Sequence, residues 1–264
     1  MRNKIIITIL LVILALMLFG CSEKEDNTEY IGIVSAMDNE IALLLSETTV
    51  ERVDTIGEIE YHVGKLRGKD VVITRSGIGK IRASAVVATL LNKYNISKVI
   101  FTGIAGGIKD EPDVLDVIVG TRVVEHDYGI LSNDGFEWTS GDPGMGATPG
   151  IYYDCDTELI NLAYETAKVV IGADHVFKGT IATGDQFIAS EDYVKKLDED
   201  FDAYACEMEG AAAAVNCIRY NKPFVVIRAL SDKADGHAHD SYANFGDIAA
   251  QQSDEIILKM LESL

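Results

Sequence analysis

The sequence has few prolines and few basic residues, and each shortage excludes a class of protein. Four prolines in 264 residues, no internal repeat and no low-complexity tract leave no linker that would divide the chain. Lysine and arginine total 23 against 42 aspartates and glutamates, so the formal net charge is −19. A surface this acidic disfavours nucleic acid and anionic lipid headgroups as partners. The length suits one large α/β domain.

Cysteine is scarce as well, and its spacing matches no common metal site. Apart from Cys21, the chain has Cys155, Cys206 and Cys217, an odd number without the pairing that zinc sites use. The last two stand in apolar surroundings, which is typical of buried small hydrophobic residues. The pair in His237-Ala238-His239 lacks a third ligand, and a flexible, solvent-facing loop is its simpler interpretation. We therefore predict neither a metal nor a cofactor.

One long apolar run is present, and it stands at the amino terminus. Ile5 to Phe19 is apolar apart from Thr8 and follows a short basic start, which indicates a signal peptide too short for a comfortable membrane span. The segment Leu18-Phe19-Gly20-Cys21 resembles the cleavage site of a bacterial lipoprotein, in which Cys21 receives the lipid. A plain secretory signal or an uncleaved anchor is the alternative.

These features divide the chain into three parts. Residues 1–20 form the predicted lipoprotein-type signal peptide, residues 21–29 a polar tether and residues 30–264 the folded domain. We therefore predict an exported bacterial lipoprotein, periplasmic or at the cell surface, whose contact with the membrane depends on the lipid alone.

Alternating strand and helix patterns predict the fold class. Short apolar runs indicate buried strands, and segments with apolar residues at helical spacing follow several of them. The predicted strands span 29–36, 59–66, 71–74, 99–102, 117–125, 175–182 and 224–232, and the predicted helices span 37–45, 81–94, 157–170, 191–198 and 247–261, with an Ala-rich helix from 211. This order predicts a single α/β domain with three αβα layers around a mixed, mainly parallel sheet.

Charged residues stand where strands are predicted to end. Arg228 lies in an otherwise apolar strand, and Asp232 closes that strand. Glu207 and Glu209 precede the Ala-rich helix, and Glu40 falls in the first turn of the helix predicted from residue 37, where the helix dipole favours an ionised carboxylate. Ligands bind beyond the carboxyl ends of strands in open α/β sheets, so these carboxylates mark a candidate site.

Three glycine-containing segments are less specific. Residues 76–80 carry a lone Gly-x-Gly before a helix, which is a weak phosphate-loop pattern that we interpret as a tight turn near a ligand. Residues 103–107 contain three glycines, which either admit a flat ligand or form a turn. The segment 127–150 is long enough to be functional, interfacial or mobile.

Six motifs in chain order resemble those of the 5′-methylthioadenosine/S-adenosylhomocysteine nucleosidases of the purine nucleoside phosphorylase superfamily. They are Ile31-Gly32-Ile33 with Ala36-Met37 and Glu40, Ser76-Gly77-Ile78-Gly79-Lys80, Thr102-Gly103-Ile104-Ala105-Gly106-Gly107, Gly184-Asp185-Gln186-Phe187-Ile188, Glu207-Met208-Glu209 and Arg228-Ala229-Leu230-Ser231-Asp232. The resemblance covers residues 30–264. It implies a homodimer that hydrolyses the N-glycosidic bond of purine nucleosides to give adenine and a 5-thio-substituted ribose.

The resemblance also implies a role for each site residue. Asp232 would protonate N7 of the leaving adenine, and Glu40 would activate water for attack on C1′. Glu209 would bind the ribose hydroxyls, with Met208 packed against the sugar. The remaining substrate-binding residues would be Glu207 and Arg228 beneath the sugar, Phe187 and Ile188 at the base, Ile78, Tyr242 and Phe245 at the 5′-alkylthio group, and Ser231, Met37, Ala105 and Gly106.

The chemistry taken alone requires the same parts. Adenine leaves only when a ring nitrogen is protonated, so one carboxyl must keep its proton near neutral pH, and burial raises a carboxyl pKa. The apolar residues before Asp232 supply such surroundings. A second carboxylate must activate water on the opposite face of the sugar, which is the logic of inverting glycoside hydrolysis.

Two other functions remain open at this point. A phosphorylase needs Arg side chains or a nest of amides for phosphate, whereas the segment Ser35 to Glu40 contains acids and no Arg, which favours the hydrolase. A surface lipoprotein that binds nucleosides or adheres to host polymers is the other alternative. Departures from the family pattern at Ile104, at Asp38-Asn39 and in the segment 127–150 leave the preferred 5′-substituent open.

Overall fold

The computed structural model describes residues 27–138 and 152–264. The predicted signal peptide, the lipidation site Cys21, residues 21–26 of the tether, residues 139–150 of the predicted long loop and residue 151 lie outside the described residues. Residues 27–29 precede the first strand without regular secondary structure.

The first half of the chain forms one side of a large mixed sheet. Its strands are β1 (Tyr30–Ser35), β2 (Thr49–Ile56), β3 (Ile59–Leu66), β4 (Lys69–Arg75) and β5 (Ile96–Phe101), in the spatial order β5-β1-β4-β3-β2. β1 pairs in parallel with β4 and β5, and all six of its residues are buried. β2 and β3 extend the sheet by antiparallel pairing, and most of β2 is exposed at the edge.

The second half of the chain closes part of the sheet into a ring of strands. Its members are β6 (Ile104–Gly107), β7 (Val117–Glu125), β11 (Val176–Thr183), β12 (Ala203–Glu207) and β13 (Phe224–Asp232). Pairing runs from β13 to β7, β11, β12 and β6 and returns to β13. The short strand β10 (Tyr153–Asp154) lies beside β7, and β8 (Gly129–Ser132) and β9 (Gly135–Trp138) form a separate hairpin.

Strand β13 joins the two halves of the sheet. Its first three residues pair with β5, and its last residues pair with β6 and β7. All nine of its residues are buried, which explains the continuous apolar run in this part of the sequence. The carboxyl end of β13 therefore lies where the open sheet and the ring of strands meet.

Two groups of helices pack on the sheet. The helices are α1 (Ala42–Glu47), α2 (Lys80–Lys93), α3 (Thr157–Ile171), α4 (Glu191–Phe201), α5 (Gly210–Arg219) and α6 (Ala238–Leu261). α2 packs against α5, whereas α6 packs against β13, α1 and α3. None of the helices in the described ranges is both long enough and apolar enough to cross a membrane.

The structure confirms the predicted single α/β domain with a mixed central sheet. The glycine-rich segment, for which a flat ligand or a turn was left open, contains β6, because Gly106 and Gly107 pair with β12. Two local predictions are wrong. Helix α1 begins at Ala42, so Glu40 precedes the helix and receives nothing from its dipole. Helix α6 begins at Ala238 instead of residue 247, because exposed polar residues in its first turns conceal the helical periodicity.

Candidate active site

A cavity of about 300 Å³ lies at the carboxyl ends of β1, β12 and β13. Thirteen of the predicted site residues line it: Met37, Glu40, Ile78, Ala105, Gly106, Phe187, Ile188, Glu207, Met208, Glu209, Ser231, Asp232 and Tyr242. Five further lining residues were not predicted as site residues: Ala36, Ile104, Gln186, Cys206 and His239. The segments that meet here are distant in sequence, and β13 brings them together because it pairs with three other strands.

Glu40 is buried and held by four hydrogen-bond donors. Its Oε2 accepts from Ser35 Oγ at 2.8 Å, from the Ala36 amide at 3.0 Å and from the Met37 amide at 2.8 Å. Its Oε1 accepts from the Ile104 amide at 2.9 Å. A deprotonated carboxylate can accept all four bonds. The groups that hold Glu40 are therefore the turn after β1 and the Ile104 amide, and not the start of a helix.

Arg228, Glu207 and Glu209 form a buried ionic cluster beneath the cavity. Arg228 Nη2 donates to Glu207 Oε2 at 2.5 Å and lies 3.7 Å from Glu209 Oε2. The guanidinium also stands over the ring of Phe101, at 4.8 Å from its centroid. Burial opposes the charge of Arg228, but Glu207, Glu209 and Glu40 outweigh it and raise the guanidinium pKa above its ordinary value. Arg228 is 1% exposed and does not line the cavity itself.

Glu207 organises the start of α5. It accepts hydrogen bonds from the amides of Glu209 and Gly210, at 3.0 Å and 2.8 Å, and from the hydroxyl of Thr183 at the end of β11. Thr183 in turn accepts from the Ala211 amide at 2.9 Å. The residue therefore neutralises Arg228 and fixes the backbone that carries Glu209.

Glu209 faces the cavity from that fixed backbone. Its Oε1 accepts from the Gly79 amide at 2.8 Å, which ties it to the loop between β4 and α2. Burial, and after it the charge of Glu207, raises the pKa of Glu209 to about 8, although Arg228 and the Gly79 amide oppose the shift. The Glu209 carboxyl has acceptor sites on both oxygens, which suits contact with a pair of hydroxyls.

Asp232 closes β13 and is 2% exposed. Its Oδ2 accepts from Ser231 Oγ at 2.8 Å, and its Oδ1 accepts from the Ala234 amide at 2.8 Å. Burial raises the pKa of the Asp232 carboxyl above its ordinary value, against the effect of these two donors. The absence of a side chain at Gly106 is required here, because a Cβ would lie 2.9 Å from Asp232 Oδ1.

Aromatic side chains stand at one side of the cavity. Phe187 stacks on His239 with ring centroids 4.6 Å apart, and Tyr242 meets Phe187 edge-on at 6.1 Å. The Tyr242 hydroxyl donates to Met37 Sδ at 3.6 Å. His239 lies in the first turn of α6 and not in a loop, and it lines the cavity although its side chain is exposed as predicted. The sequence signal that could have located it is its spacing from Tyr242, three residues later on the same helix face.

Phe245 was predicted to line the pocket, but it is not among the residues that line the cavity. It lies one turn beyond Tyr242 on α6 and is 37% exposed. The described residues contain no group of three or more His, Cys, Asp or Glu side chains arranged to hold a metal ion.

Comparisons with known proteins agree with this architecture. The family model described as the phosphorylase superfamily matches residues 30–262. A 5′-methylthioadenosine/S-adenosylhomocysteine nucleosidase of Bacillus subtilis is 36% identical over 236 residues, which cover 89% of this chain and 99% of that protein. The solved nucleosidase of Neisseria meningitidis in complex with methylthio-immucillin-A is 33% identical with a TM-score of 0.80, covering 89% of this chain and 99% of that one.

A solved structure of an enzyme named for a different substrate is nearly as similar. The futalosine hydrolase of Helicobacter pylori is 30% identical with a TM-score of 0.79, and the match covers 90% of this chain and 98% of that chain. The ring of strands and the carboxylate-lined cavity thus define an α/β protein of the phosphorylase superfamily. Within it, the chain belongs to the 5′-methylthioadenosine/S-adenosylhomocysteine nucleosidase family.

Gly103→Ala should remove most activity without unfolding the protein. Gly103 has φ +153°, and a Cβ there would lie 2.6 Å from Glu40 Oε1 and 2.8 Å from Arg228 Nη1. Glu40 would have to leave its donors, and a displacement of about 1 Å costs about 100-fold in rate. The measurement is turnover of 5′-methylthioadenosine, the substrate for which the relatives are named.

Gly68→Ala is the matched control. Gly68 has φ +78°, and a Cβ added there would meet no atom within 4 Å, so the variant carries a similar backbone cost without the contact. Equal losses in both variants would contradict a specific role for the space at Gly103.

Proposed function

We propose that the protein hydrolyses the N-glycosidic bond of 5′-methylthioadenosine and S-adenosylhomocysteine to adenine and a 5-thio-substituted ribose. In this proposal Asp232 is the general acid and Glu40 activates the attacking water. The observation that carries it is the meeting of Glu40, Glu209 and Asp232, each at most 5% exposed, in one cavity. Their surroundings differ, and pairs of carboxyls with opposed environments are the mark of acid and base roles.

Asp232 suits the acid role because it is buried and its pKa is raised. A carboxyl whose pKa is raised is a better proton donor to N7 of adenine at a given pH, and protonation makes the base a better leaving group. The Ser231 hydroxyl and the Ala234 amide orient the carboxyl, since each contacts a different oxygen. Ile188 and Phe187 line the same cavity and supply the surface on which the base would lie.

Glu40 suits the base role because every hydrogen bond it makes is with a donor. Three of the four bonds end on Oε2 and one on Oε1, so they fix the carboxylate and Oε1 keeps room to accept from one water. Departure of adenine leaves a sugar with oxocarbenium character, which a weakly held water can attack once it is positioned. Glu209 would hold the ribose hydroxyls, and Met208 would pack against the ring.

The electrostatics of the cavity favour hydrolysis over phosphorolysis. Its described lining contains Glu40, Glu207, Glu209 and Asp232 and neither Lys nor Arg. The nearby Arg228 is already paired with Glu207 and Glu209. A phosphate dianion beside C1′ would meet carboxylates instead of the guanidinium groups or amide nests that bind it.

Asp232→Asn and Glu40→Gln should each lower turnover by at least about 1000-fold, because each removes one proton-transfer group. Asp235→Asn is the matched control, since it lies three residues further along the same segment and does not line the cavity. Release of the free base by residues 22–264 is measured in phosphate-free buffer and again with phosphate. The base is adenine from 5′-methylthioadenosine, S-adenosylhomocysteine and adenosine, and hypoxanthine from inosine.

The outcomes separate the alternatives. Release without phosphate, fastest with the thio-nucleosides, supports the hydrolase. Release that requires phosphate would show that the protein is a phosphorylase. Binding of nucleosides without any release of base would support a receptor or an adhesive lipoprotein. Wild-type turnover in the Asp232→Asn variant would remove this residue from the mechanism.

We also propose that the protein is exported and anchored through a lipid on Cys21. The support is the basic and apolar start of the chain with Leu18-Phe19-Gly20-Cys21, and the family match, which begins only at residue 30. Cys21→Ala should move the protein from the membrane fraction to the soluble exported fraction and abolish incorporation of labelled fatty acid. Retention of the variant in membranes would favour an uncleaved anchor instead.

A homodimer is the assembly we propose. Apolar side chains are exposed on the neighbouring helices α2 and α5, where Ile81 is 82% and Ile218 50% exposed. Light scattering should give twice the chain mass for the mature protein. Ile81→Asp should halve that mass, whereas Val169→Asp on α3, which alters a side chain that is 73% exposed, should leave it unchanged. A monomeric wild type would refute the proposal.

A further inference from the structure

A second cavity, of about 470 Å³, adjoins the candidate active site. Ala36, Met37 and Ile78 line both cavities. The other residues of the second cavity are Asp38, Arg75, Gly77 and Arg82. It therefore brings two guanidinium groups and one carboxylate to the side of the site where Met37 and Ile78 stand, and the mechanism above uses none of them.

Local contacts hold both arginines at this cavity. Arg82 Nη1 donates to the Ile78 carbonyl at 3.0 Å. Its stem lies against Gly77, where a Cβ would come within 3.1 Å of Arg82 Cδ. Arg75 forms an ion pair with Asp38, with Nε 3.1 Å from Oδ1. Each guanidinium has five donor hydrogens, so most of the donors remain for a ligand.

The loop that carries Ile78 connects this cavity to the position of the sugar. The Gly79 amide donates to Glu209, which holds the ribose hydroxyls in the proposed function, and the Gly77 amide donates to the Ala36 carbonyl at 3.1 Å. Ile78 stands between these two anchors. A substituent that leaves the ribose past Met37 and Ile78 therefore reaches Arg75 and Arg82 next.

We propose that the second cavity is a subsite for the charged end of the 5′-substituent. Arg75 and Arg82 bind the carboxylate of the homocysteine part of S-adenosylhomocysteine, and the ammonium group lies beside Asp38. This assignment rests on the proposed function and deepens it. Because 5′-methylthioadenosine ends in an uncharged methyl group, the subsite distinguishes the two substrates.

The charges of the subsite match an α-amino acid better than phosphate. Arginine binds carboxylates through its planar fork, and Asp38 gives an ammonium group a partner within the same cavity. The same Asp38 carboxylate would repel a phosphate dianion. On a chain with a net charge of −19, two adjacent arginines also create a local field that attracts an anionic group.

The test compares three substrates that share adenosine and a 5′-sulfur. S-adenosylhomocysteine carries the charged chain, 5′-butylthioadenosine has an uncharged alkyl chain after sulfur, and 5′-methylthioadenosine is the short reference. We measure kcat/KM for the wild type, Arg75→Gln, Arg82→Gln and the double variant. Arg67→Gln is the matched control, because it removes another half-exposed arginine that pairs with a single carboxylate, Glu47.

We expect each single variant to lose about fivefold in kcat/KM for S-adenosylhomocysteine and the double variant about 20-fold, as is typical of partly exposed charge pairs. The values for the two uncharged substrates should stay within about twofold. Arg82→Lys should recover part of the loss, because it restores the charge without the fork. Arg67→Gln should resemble the wild type with all three substrates.

Several results would overturn the subsite. Equal losses on all three substrates would assign the arginines to folding or to the common chemistry. If the double variant kept the wild-type ratio of kcat/KM between S-adenosylhomocysteine and the uncharged substrates, the two arginines would have no role in substrate selection. A phosphate requirement that disappears in the double variant would make the cavity a phosphate site. Failure of the wild type to hydrolyse 5′-methylthioadenosine would instead overturn the proposed function, so the two failures are distinguishable.

Discussion

The buried ionic cluster of Arg228, Glu207 and Glu209 is the constraint on which the rest of the site depends. Arg228 is 1% exposed, and a charge in such surroundings is tolerated only when it is paired. Removing one partner of a buried ion pair costs about 3–5 kcal/mol, because the other charge stays behind. Glu207 neutralises the arginine and also fixes the first amides of α5, so charge compensation and backbone position are linked in one residue.

The cluster also links the ring of strands to the candidate active site. β13 supplies Arg228 from its middle and Asp232 from its end, whereas β12 supplies Glu207. The glycine at residue 103 lets Glu40 approach the same guanidinium, since any Cβ would meet both groups. Carboxylates from distant segments are thereby brought into one cavity around a single fixed cation, and each retains a different set of hydrogen-bond partners.

The proposed chemistry and the proposed substrate selection would occupy different parts of the molecule. The carboxylates of the cavity are almost fully buried. The side chains of Arg75 and Asp38 are exposed, which suits groups proposed to meet the variable end of a substrate. The loop from Ser76 to Gly79 connects the two regions, because Gly79 contacts Glu209 and Ile78 contacts Arg82. Under the two proposals, substitutions at Arg75 or Asp38 would change specificity without disturbing Asp232 and Glu40.

The linear sequence was enough to predict the fold class and the main strands, because buried apolar runs are local patterns. Carboxylates at predicted strand ends marked the candidate site, and the resemblance to the nucleosidase family supplied most of the other cavity-lining residues among the fifteen predicted, of which thirteen line the cavity. The hydrogen-bond donors that hold Glu40 are brought together only by folding, since one of them is the Ile104 amide on another strand. Folding also brought His239 into the cavity and left Phe245 outside, because the early start of α6 sets the direction of both side chains. Pairing between distant strands decides such contacts, and no local pattern encodes it.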